Sequence, residues 1–265
     1  MILTLLINGS MRTESNKSLF DSSPTQKLKK RMPKYEKMLK TVNKYHAKKQ
    51  GIVISARVHP GEPQSSWVLH GLIEFLVSND PLAKVLRKNY IFKIIPMLNP
   101  DGVIYGNYRW SLLGFDLNRK WDHPNKFFDP TIYYVKKMIK VFQEEREIKL
   151  FWDLHGHSRK MNCFTYGWDY YNTFQESKYN NFHLRLFPAL FAAINPFFKF
   201  EDCTFKLEKC KQKTGRVVSF KQLGIRHSFT LESSFYGRQA KDTDGKDTDL
   251  HFTVSHLCWL DSHRT

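Results

Sequence analysis

Two short apolar segments, each leading into a histidine, restrict what this chain can fold into. Residues 51–58 lead into His59-Pro60-Gly61-Glu62, and residues 149–154 lead into His155. Segments of this length and composition are typical of buried strands. In open α/β sheets, the residues that follow the carboxyl ends of parallel strands meet at one edge of the sheet. The sequence therefore predicts that the two histidines and Glu62 lie close together.

Two imidazoles and one carboxylate in this arrangement suit a catalytic zinc ion. Such sites use three protein ligands and keep a fourth position open, whereas structural zinc sites are closed. The spacing of His59 and Glu62 lets one tight turn present both, and Gly61 is expected to let the backbone bend there. We expect one zinc ion per chain. His157 is predicted to point to the opposite side from His155 and to be structural, not a ligand.

A spacing of this kind has ordinary explanations as well. Alone, Glu62 could be a turn carboxylate and His155 a satisfied core histidine. The apolar segments that lead into His59 and His155 favour the site, because strands there would bring the ligands to one edge of the sheet. Strands and helices alternate along the rest of the chain. Strands are predicted at residues 3–7, 90–97 and 228–233, helices at 131–145, 182–194 and about 250–260, a turn at 99–103 and an exposed loop at 239–248. A further helix is expected after residue 64, with Ser65 or Ser66 as its cap.

Length and composition fit one α/β domain. At 265 residues with 41% hydrophobic residues, the chain can bury one sizeable core but has little room for a second. We expect a mixed, mostly parallel twisted sheet flanked by helices. Residues 1–7 are apolar but lack the basic start of a secretory signal, and no window is long and apolar enough to span a membrane. The four cysteines Cys163, Cys203, Cys210 and Cys258 show no C-x-x-C pair, which favours free thiols in a reducing cytoplasm.

The chain carries a formal charge of +17, and residues 27–49 hold ten Lys or Arg against one acid, Glu36. Basic and apolar residues alternate at helical spacing there, so a basic amphipathic helix is predicted after Pro33. It could be a solvated surface helix, a docking site for an acidic polymer, or a nonspecific attractor of nucleic acid. No nucleic-acid-binding motif accompanies it, so we expect no specific nucleic-acid partner.

Six sequence blocks together resemble a known family. They are HPGE at 59–62, FKIIPMLNPDGVIYGNYR at 92–109, DLNRKW at 116–121, DLHGHSRKMNCFTYG at 153–167, TGRVV at 214–218 and SFTLES at 228–233. With these blocks the chain resembles the M14 zinc carboxypeptidases, and specifically their cytosolic carboxypeptidase branch, the tubulin deglutamylases. The resemblance implies a zinc carboxypeptidase-like fold and a metallocarboxypeptidase activity.

The resemblance also implies roles for individual residues. Glu232 matches the general base, which takes a proton from water and passes it to the leaving amine. Arg109 matches the arginine that stabilises the oxyanion. Asn118 and Arg119 match the pair that binds the C-terminal carboxylate of the substrate, which makes such enzymes exopeptidases.

Arg216, in the TGRVV block, lies where the family lines the pocket for the departing side chain. A basic residue there implies a preference for acidic residues, because a partly buried guanidinium needs an anionic partner. The plainer alternative is an exposed arginine on a strand.

The chain departs from the family pattern at three points. We expect no β-rich domain upstream, and a shortened N-terminal part at residues 1–50 with a first strand, a polar loop at 9–26 and the Lys-rich helix. Residues 51–265 are predicted to be the catalytic domain. Residues 203–214 contain no tyrosine, so no substrate-capping tyrosine is assigned.

The sequence therefore predicts a zinc-dependent exopeptidase that removes C-terminal glutamates from acidic tails or polyglutamate side chains of tubulin-like proteins. Two alternatives stay open: a weakly active or inactive relative that binds acidic tails, and an M14-like amidohydrolase acting on small acyl-amino acids. We expect a cytoplasmic monomer, associated with microtubules or cilia and not with membranes.

Overall fold

The computed structural model describes residues 3–5, 11–13, 49–168, 182–241, 244 and 246–258. Its strands are β1 (Leu3–Leu5), β2 (Met11–Thr13), β3 (Gln50–Ala56), β4 (Tyr90–Ile95), β5 (Ile148–His157), β6 (Cys163–Tyr166), β7 (His227–Ser234), β8 (Gly237–Lys241) and β9 (Asp247–His251). Its helices are α1 (Pro63–Val77), α2 (Pro81–Asn89), α3 (Pro100–Ile104), α4 (Pro130–Glu145), α5 (Phe182–Ile194), α6 (Gly215–Lys221) and α7 (Val254–Cys258).

Seven strands form the main sheet, in the order β2-β1-β4-β3-β5-β7-β6. The four central strands, β4, β3, β5 and β7, are parallel; β1 pairs antiparallel with β4, β6 pairs antiparallel with β7, and β2 pairs antiparallel with β1. The predicted mixed, mostly parallel sheet is therefore confirmed. Because the central strands are parallel, their carboxyl ends lie at the same edge of the sheet.

Helices cover both faces of this sheet. On one face, Val53 of β3 and Phe151 of β5 pack with Ile132 and Ile139 of α4. On the other, Ile54 of β3 packs with α1 and α7. Adjacent residues of a strand point to opposite faces, so both sides of β3 and β5 are apolar, as expected for the centre of a parallel sheet.

Four helices begin at a proline, at residues 63, 81, 100 and 130. Proline suits the first helical position because it has the right φ and lacks only an N–H that would be unpaired there. The predicted helices at 131–145 and 182–194 are confirmed as α4 and α5. The prediction of Ser65 or Ser66 as a cap was wrong, because Pro63 starts α1 and Glu62 is the capping residue.

Three further predictions of local structure were wrong in part. Residues 99–103 are not a simple turn, since α3 follows Asn99, whose Oδ1 accepts from the N–H of Gly102 at 3.1 Å. The predicted loop at 239–248 contains paired strands of the β8–β9 hairpin, because its polar residues mark the connection and not the whole segment. The last predicted helix begins only at Val254, since β9 occupies residues up to 251.

The predicted Lys-rich helix and most of the predicted polar loop at 9–26 lie outside the described residues. Within that loop Met11–Thr13 form strand β2, so the loop prediction was wrong there. The division of the chain at residue 50 stays a prediction. Within the part that is described, no helix is long and apolar enough to cross a membrane. The four cysteines are free thiols, as predicted.

Candidate active site

The predicted site residues gather at the carboxyl edge of the parallel strands. His59 follows β3 after a two-residue extension, and His155 lies within β5 itself. Glu232 lies on β7 directly opposite His155 in the strand register. The parallel register therefore brings residues from three separate parts of the sequence to one place.

The side chains of His59, Glu62 and His155 face one another. Glu62 Oε1 lies 2.7 Å from His59 Nδ1, and Glu62 Oε2 lies 3.0 Å from His155 Nδ1. One donor atom from each residue lies within 4.8 Å of the others, and all three residues are buried. Two imidazole nitrogens and a carboxylate oxygen at this spacing fit a metal ion of the zinc type.

Two aspartates, which the sequence analysis did not assign to the site, hold the outer ring nitrogens. His59 Nε2 lies 3.1 Å from Asp116 Oδ1, and His155 Nε2 lies 2.8 Å from Asp153 Oδ2. Carboxylates that accept from the outer N–H fix the tautomer and leave the other nitrogen for a metal. Asp116 is the first residue of the DLNRKW block, and Asp153 is the first residue of DLHGH. Their positions close in sequence to Arg119 and His155 were the signal from which their roles could have been inferred.

Burial and charge act in opposite directions on the cluster. Burial alone would raise the pKa of Glu62, but the neighbouring His155 and His59 hold that pKa well below its ordinary range. Burial alone would lower the pKa of His155, but Asp153 and Glu62 raise that pKa well above its ordinary value. The buried carboxylates thus favour positive charge at the position where the three donor atoms meet.

Asp116 links the metal-type cluster to the two predicted substrate arginines. Its Oδ2 accepts from Arg109 Nε at 3.1 Å and Nη2 at 2.8 Å, and it lies 3.7 Å from Arg119 Nη1. Burial alone would raise the pKa of Asp116, but His59, Arg109 and Arg119 lower it well below the ordinary range. One buried carboxylate therefore sets the positions of a histidine and an arginine together.

Asn118 lies between this network and the cleft. Its backbone N–H donates to Asp116 Oδ1 at 2.9 Å, and its Oδ1 accepts from the N–H of Gly215 at 2.9 Å. Because Oδ1 of Asn118 accepts the hydrogen bond from Gly215, the side-chain Nδ2 is the atom that faces His155, and it lies 3.4 Å from His155 Nε2. The side chain of Asn118 therefore presents donors, not an acceptor, to the site.

Glu232 is buried beside the cluster without a cation in salt-bridge contact among the described residues. Burial raises the pKa of its carboxyl to about 8, and the nearby Glu62 and Asp153 add to this while His155 opposes it. A raised carboxyl pKa next to a cleft is typical of groups that exchange protons in catalysis. A divalent cation held by the three donors would oppose this rise.

Arg216 lies on helix α6 and is buried, so the alternative of an exposed strand arginine was wrong on both counts. Its Nε donates to the carbonyl of Gly167 at 3.2 Å, and its guanidinium lies 5.5 Å from the centre of the Tyr166 ring. Burial lowers the pKa of this guanidinium to about 10. The block TGRVV looks strand-like from its valines, but Thr214 precedes the first turn of a short helix.

All eight predicted site residues line one cleft of about 430 Å³. The cleft is also lined by Tyr108, His157, Arg159, Tyr166, Lys206, Glu208 and Lys211. The prediction that His157 faces away from His155 was wrong, because residues two apart in a strand share a face. Nδ1 of His157 accepts from the backbone N–H groups of Arg159 and Lys160, so this nitrogen is used in shaping the loop after β5.

Gly61 serves the site in a different way from the predicted one. It does not have a positive φ, so conformational freedom is not what it supplies. Its N–H donates to the carbonyl of Tyr108 at 2.7 Å, and a Cβ at this position would lie 2.4 Å from the Tyr108 ring. The glycine is needed because the segment preceding Arg109 packs directly against it.

Comparisons with known proteins agree with this arrangement. The family description "Zinc carboxypeptidase" of the M14 peptidases matches residues 30–243. The chain is 48% identical over 218 residues to cytosolic carboxypeptidase 2 of Mus musculus, covering 82% of this chain and 24% of that protein. It is 42% identical over 232 residues to cytosolic carboxypeptidase 3 of Bos taurus, covering 84% and 23%. The chain spans about a quarter of the length of these curated relatives.

Among solved structures, the chain is similar to a metallo-carboxypeptidase from Burkholderia cenocepacia. The TM-score is 0.66 with 26% sequence identity, over 79% of this chain and 53% of that one.

Replacing Asp116 by Asn tests whether this carboxylate organises the site. The amide keeps the shape but cannot accept from both His59 and Arg109, so we expect zinc affinity to fall by about 10–100-fold. Chelator competition on the purified protein measures this. Asp101→Asn, an exposed carboxylate on α3, is the matched control and should bind zinc like wild type. Equal zinc affinity in wild type and both variants would show that Asp116 does not organise the site.

Proposed function

The chain belongs to the zinc carboxypeptidase family, and from this we propose that it is a zinc-dependent exopeptidase that removes C-terminal glutamates from acidic protein tails. The observation that carries the proposal is the single cleft that joins a His-Glu-His cluster, a buried glutamate and a set of arginines. We propose residues 51–265 as the catalytic domain.

The three donor atoms fit zinc by their chemistry. His59 and His155 present Nδ1 toward Glu62, while their outer nitrogens are held by Asp116 and Asp153. One zinc ion held by these residues would supply Lewis acidity to the scissile carbonyl oxygen and to the attacking water. The chain's own residues then have to hold the substrate, move the proton and stabilise the developing charge.

Asn118 and Arg119 are proposed to bind the C-terminal carboxylate of the substrate. Asn118 offers amide N–H groups because its oxygen is taken by Gly215. Arg119 supplies a charge-assisted donor from the same turn. A site that requires a free carboxylate favours cleavage at the chain end over cleavage inside a chain.

Arg109 is proposed to stabilise the oxyanion. Its Nε and Nη2 are used by Asp116, which holds the guanidinium plane in place. Its Nη1 has no hydrogen-bond partner among the described residues and remains available to the substrate. A donor fixed before the reaction stabilises developing negative charge without reorganisation during it.

Glu232 is proposed as the general base and acid. Its burial and raised pKa suit a carboxylate that takes the proton of the attacking water and returns it to the leaving amine. It lies across the strand register from His155, so the group that moves the proton is next to the proposed metal site.

The charge of the cleft supports an acidic substrate. Six Lys or Arg residues line it, against three glutamates. Two of these glutamates have the proposed zinc and proton-transfer roles. Lys206, Lys211 and Arg159 make no ion pair or hydrogen bond from their side chains within the described part of the chain, and Arg216 is bound only to neutral oxygens. Unpaired cations around a cleft attract and hold anionic substrate groups.

The acidic C-terminal tails of tubulin and polyglutamate side chains are the proposed substrates, and the cytoplasm is the proposed location, with microtubules or cilia as the site of action. Support comes from relatives named cytosolic carboxypeptidases and from the basic cleft. We further propose that the chain acts as a monomer.

The first prediction of this proposal concerns the metal. The wild-type protein should bind one zinc ion per chain, and His155→Ala should remove it, because the cluster then lacks a ligand. Elemental analysis after dialysis measures the stoichiometry. His70→Ala, an exposed histidine on α1, should keep full occupancy. Full zinc occupancy in His155→Ala would contradict the assignment.

The second prediction separates turnover from binding. Glu232→Gln should keep zinc and substrate affinity while kcat falls by about 10²–10⁴-fold, because only proton transfer is removed. Release of glutamate from a C-terminally glutamylated peptide gives the rate, and Glu74→Gln on α1 is the control.

Three outcomes would contradict this picture. Near-normal kcat in Glu232→Gln would mean that another group is the base. A wild-type protein that binds zinc and glutamylated peptides without turnover would favour the tail-binding alternative. Faster cleavage of small acyl-amino acids would favour the amidohydrolase alternative.

The third prediction concerns specificity. Wild type should release C-terminal glutamate in preference to leucine or lysine. This preference should become weaker as the salt concentration increases, because screening reduces the attraction of acidic substrates to the cleft. Arg216→Asp should weaken or reverse this order, and Arg216→Gln should weaken it without adding a buried charge. Lys221→Gln, an exposed lysine on the same helix, is the control. Unchanged glutamate preference in both Arg216 variants would remove Arg216 from the pocket.

A further inference from the structure

Arg57 has an unusual backbone conformation immediately before the predicted metal-ligand loop. Its φ is 57°, and it is one of two non-glycine residues with positive φ among those described, the other being Asn162. Residues other than glycine adopt a positive φ at an energetic cost. They tend to do so where the surrounding structure holds the backbone in that conformation. The turn at Arg57 also explains why β3 ends at Ala56.

The backbone of Arg57 is hydrogen-bonded on both sides. Its N–H donates to Ser65 Oγ at 3.2 Å, and that hydroxyl in turn donates to the carbonyl of Glu62 at 2.8 Å. Its carbonyl accepts from the N–H of Asn99, beyond the neighbouring strand β4, at 3.2 Å. The left-handed conformation is therefore fixed by helix α1 on one side and by the segment after β4 on the other.

The side chain of Arg57 reaches forward over the loop. Nε donates to the carbonyl of Pro60 at 2.7 Å, and Nη1 donates to Ser66 Oγ, in the first turn of α1, at 2.9 Å. The bond to Pro60 closes a ring of atoms that contains the whole backbone of His59. The bond to Ser66 attaches this ring to the helix that begins directly after Glu62.

These contacts restrain the loop that carries both proposed ligands, His59 and Glu62. Between Ala56 and Pro63 the chain has no regular secondary structure of its own, yet His59 and Glu62 must face each other closely. Arg57 is not a lining residue of the cleft, so it touches neither substrate nor metal position. Among the described residues its side-chain hydrogen bonds go only to the Pro60 carbonyl and the Ser66 hydroxyl, and its positive charge also interacts with the negative charge of Glu62. A lysine at position 57 could not make both hydrogen bonds in the same way, because its single ammonium group lacks the planar guanidinium that donates to two acceptors in different directions.

We propose that Arg57 is a positioning residue that preorganises His59 and Glu62 for zinc through its contacts with Pro60 and Ser66. Without it, the loop has to be ordered when the metal binds, and the entropy cost reduces affinity. This inference rests on the proposed zinc site, and it adds a residue that acts through the ligands without contacting the ion.

The test compares zinc affinity with the thermal stability of the metal-free protein in the full chain. Arg57→Gly accepts the positive φ without strain but removes the side chain, so folding should be retained. We expect its zinc dissociation constant to rise by about 10–100-fold, as for other groups that support metal ligands from outside. Arg57→Lys should bind zinc with an affinity between those of wild type and Arg57→Gly.

Asn162→Gly is the matched control, because it changes the other positive-φ residue outside the cleft. It should leave zinc affinity unchanged. Ser66→Ala removes one acceptor of Arg57 and leaves residue 57 intact, so a weaker zinc affinity is expected there too. If Arg57→Gly does not fold, Ser66→Ala decides: reduced affinity supports the proposal and unchanged affinity overturns it.

Wild-type zinc affinity in Arg57→Gly would overturn the proposal, as would a fall in the melting temperature of the metal-free protein without a change in zinc affinity. A wild-type protein that binds no zinc would instead refute the proposed function, and this inference with it. The two failures are therefore distinguishable by the wild-type measurement alone.

Discussion

The carboxylate of Asp116 is the interaction on which the geometry of the cleft depends. It is buried, and it contacts His59, Arg109 and the backbone of Asn118 at the same time. Burying a carboxylate costs free energy unless its oxygens accept hydrogen bonds. Moving any one partner away would remove a hydrogen bond from an oxygen of Asp116, so each partner is held in place. Through it, the group proposed to bind metal and the group proposed to stabilise the oxyanion cannot move independently. The 3₁₀ turn that carries Asn118 and Arg119 begins at this residue.

The second constraint is the register of the parallel strands. β3 lies between β4 and β5, and β7 pairs with β5, so residues distant in sequence reach one edge. The pairing of His155 with Glu232 fixes the proposed base beside the proposed metal position through backbone hydrogen bonds. A shift by one residue would exchange the side chains that pack on the two faces of the sheet and disturb both cores, so packing opposes the shift. The fold therefore determines these distances more rigidly than a loop could.

The fold class, the central strands and two of the long helices were predictable from apolar periodicity, and so was the grouping of His59, Glu62 and His155. The periodicity could not predict the helix at 215–221, because Val217 and Val218 have strand-like preferences that tertiary packing overrides. It could not predict the roles of Asp116 and Asp153, because a carboxylate reveals its partners only when the chain is folded. The positive φ of Arg57 also leaves no signal in sequence, since arginine has no preference for that region.

Electrostatics connects the remaining features. Asp116, Asp153, Glu62 and Glu232 are all buried around two histidines, which is an excess of negative charge in a region of low polarity. In the metal-free protein, Asp153 and Glu62 raise the pKa of His155 against the effect of its burial, and burial, together with Glu62 and Asp153, raises the pKa of Glu232. A divalent cation at the meeting point of the three donors would remove the need for these protons, so metal binding and proton release are coupled there. Lys and Arg residues outnumber glutamates in the lining of the cleft, so the cleft that a substrate would enter carries an excess of positive charge. The arrangement therefore separates a negative interior that suits a metal from a positive entrance that suits an acidic chain end.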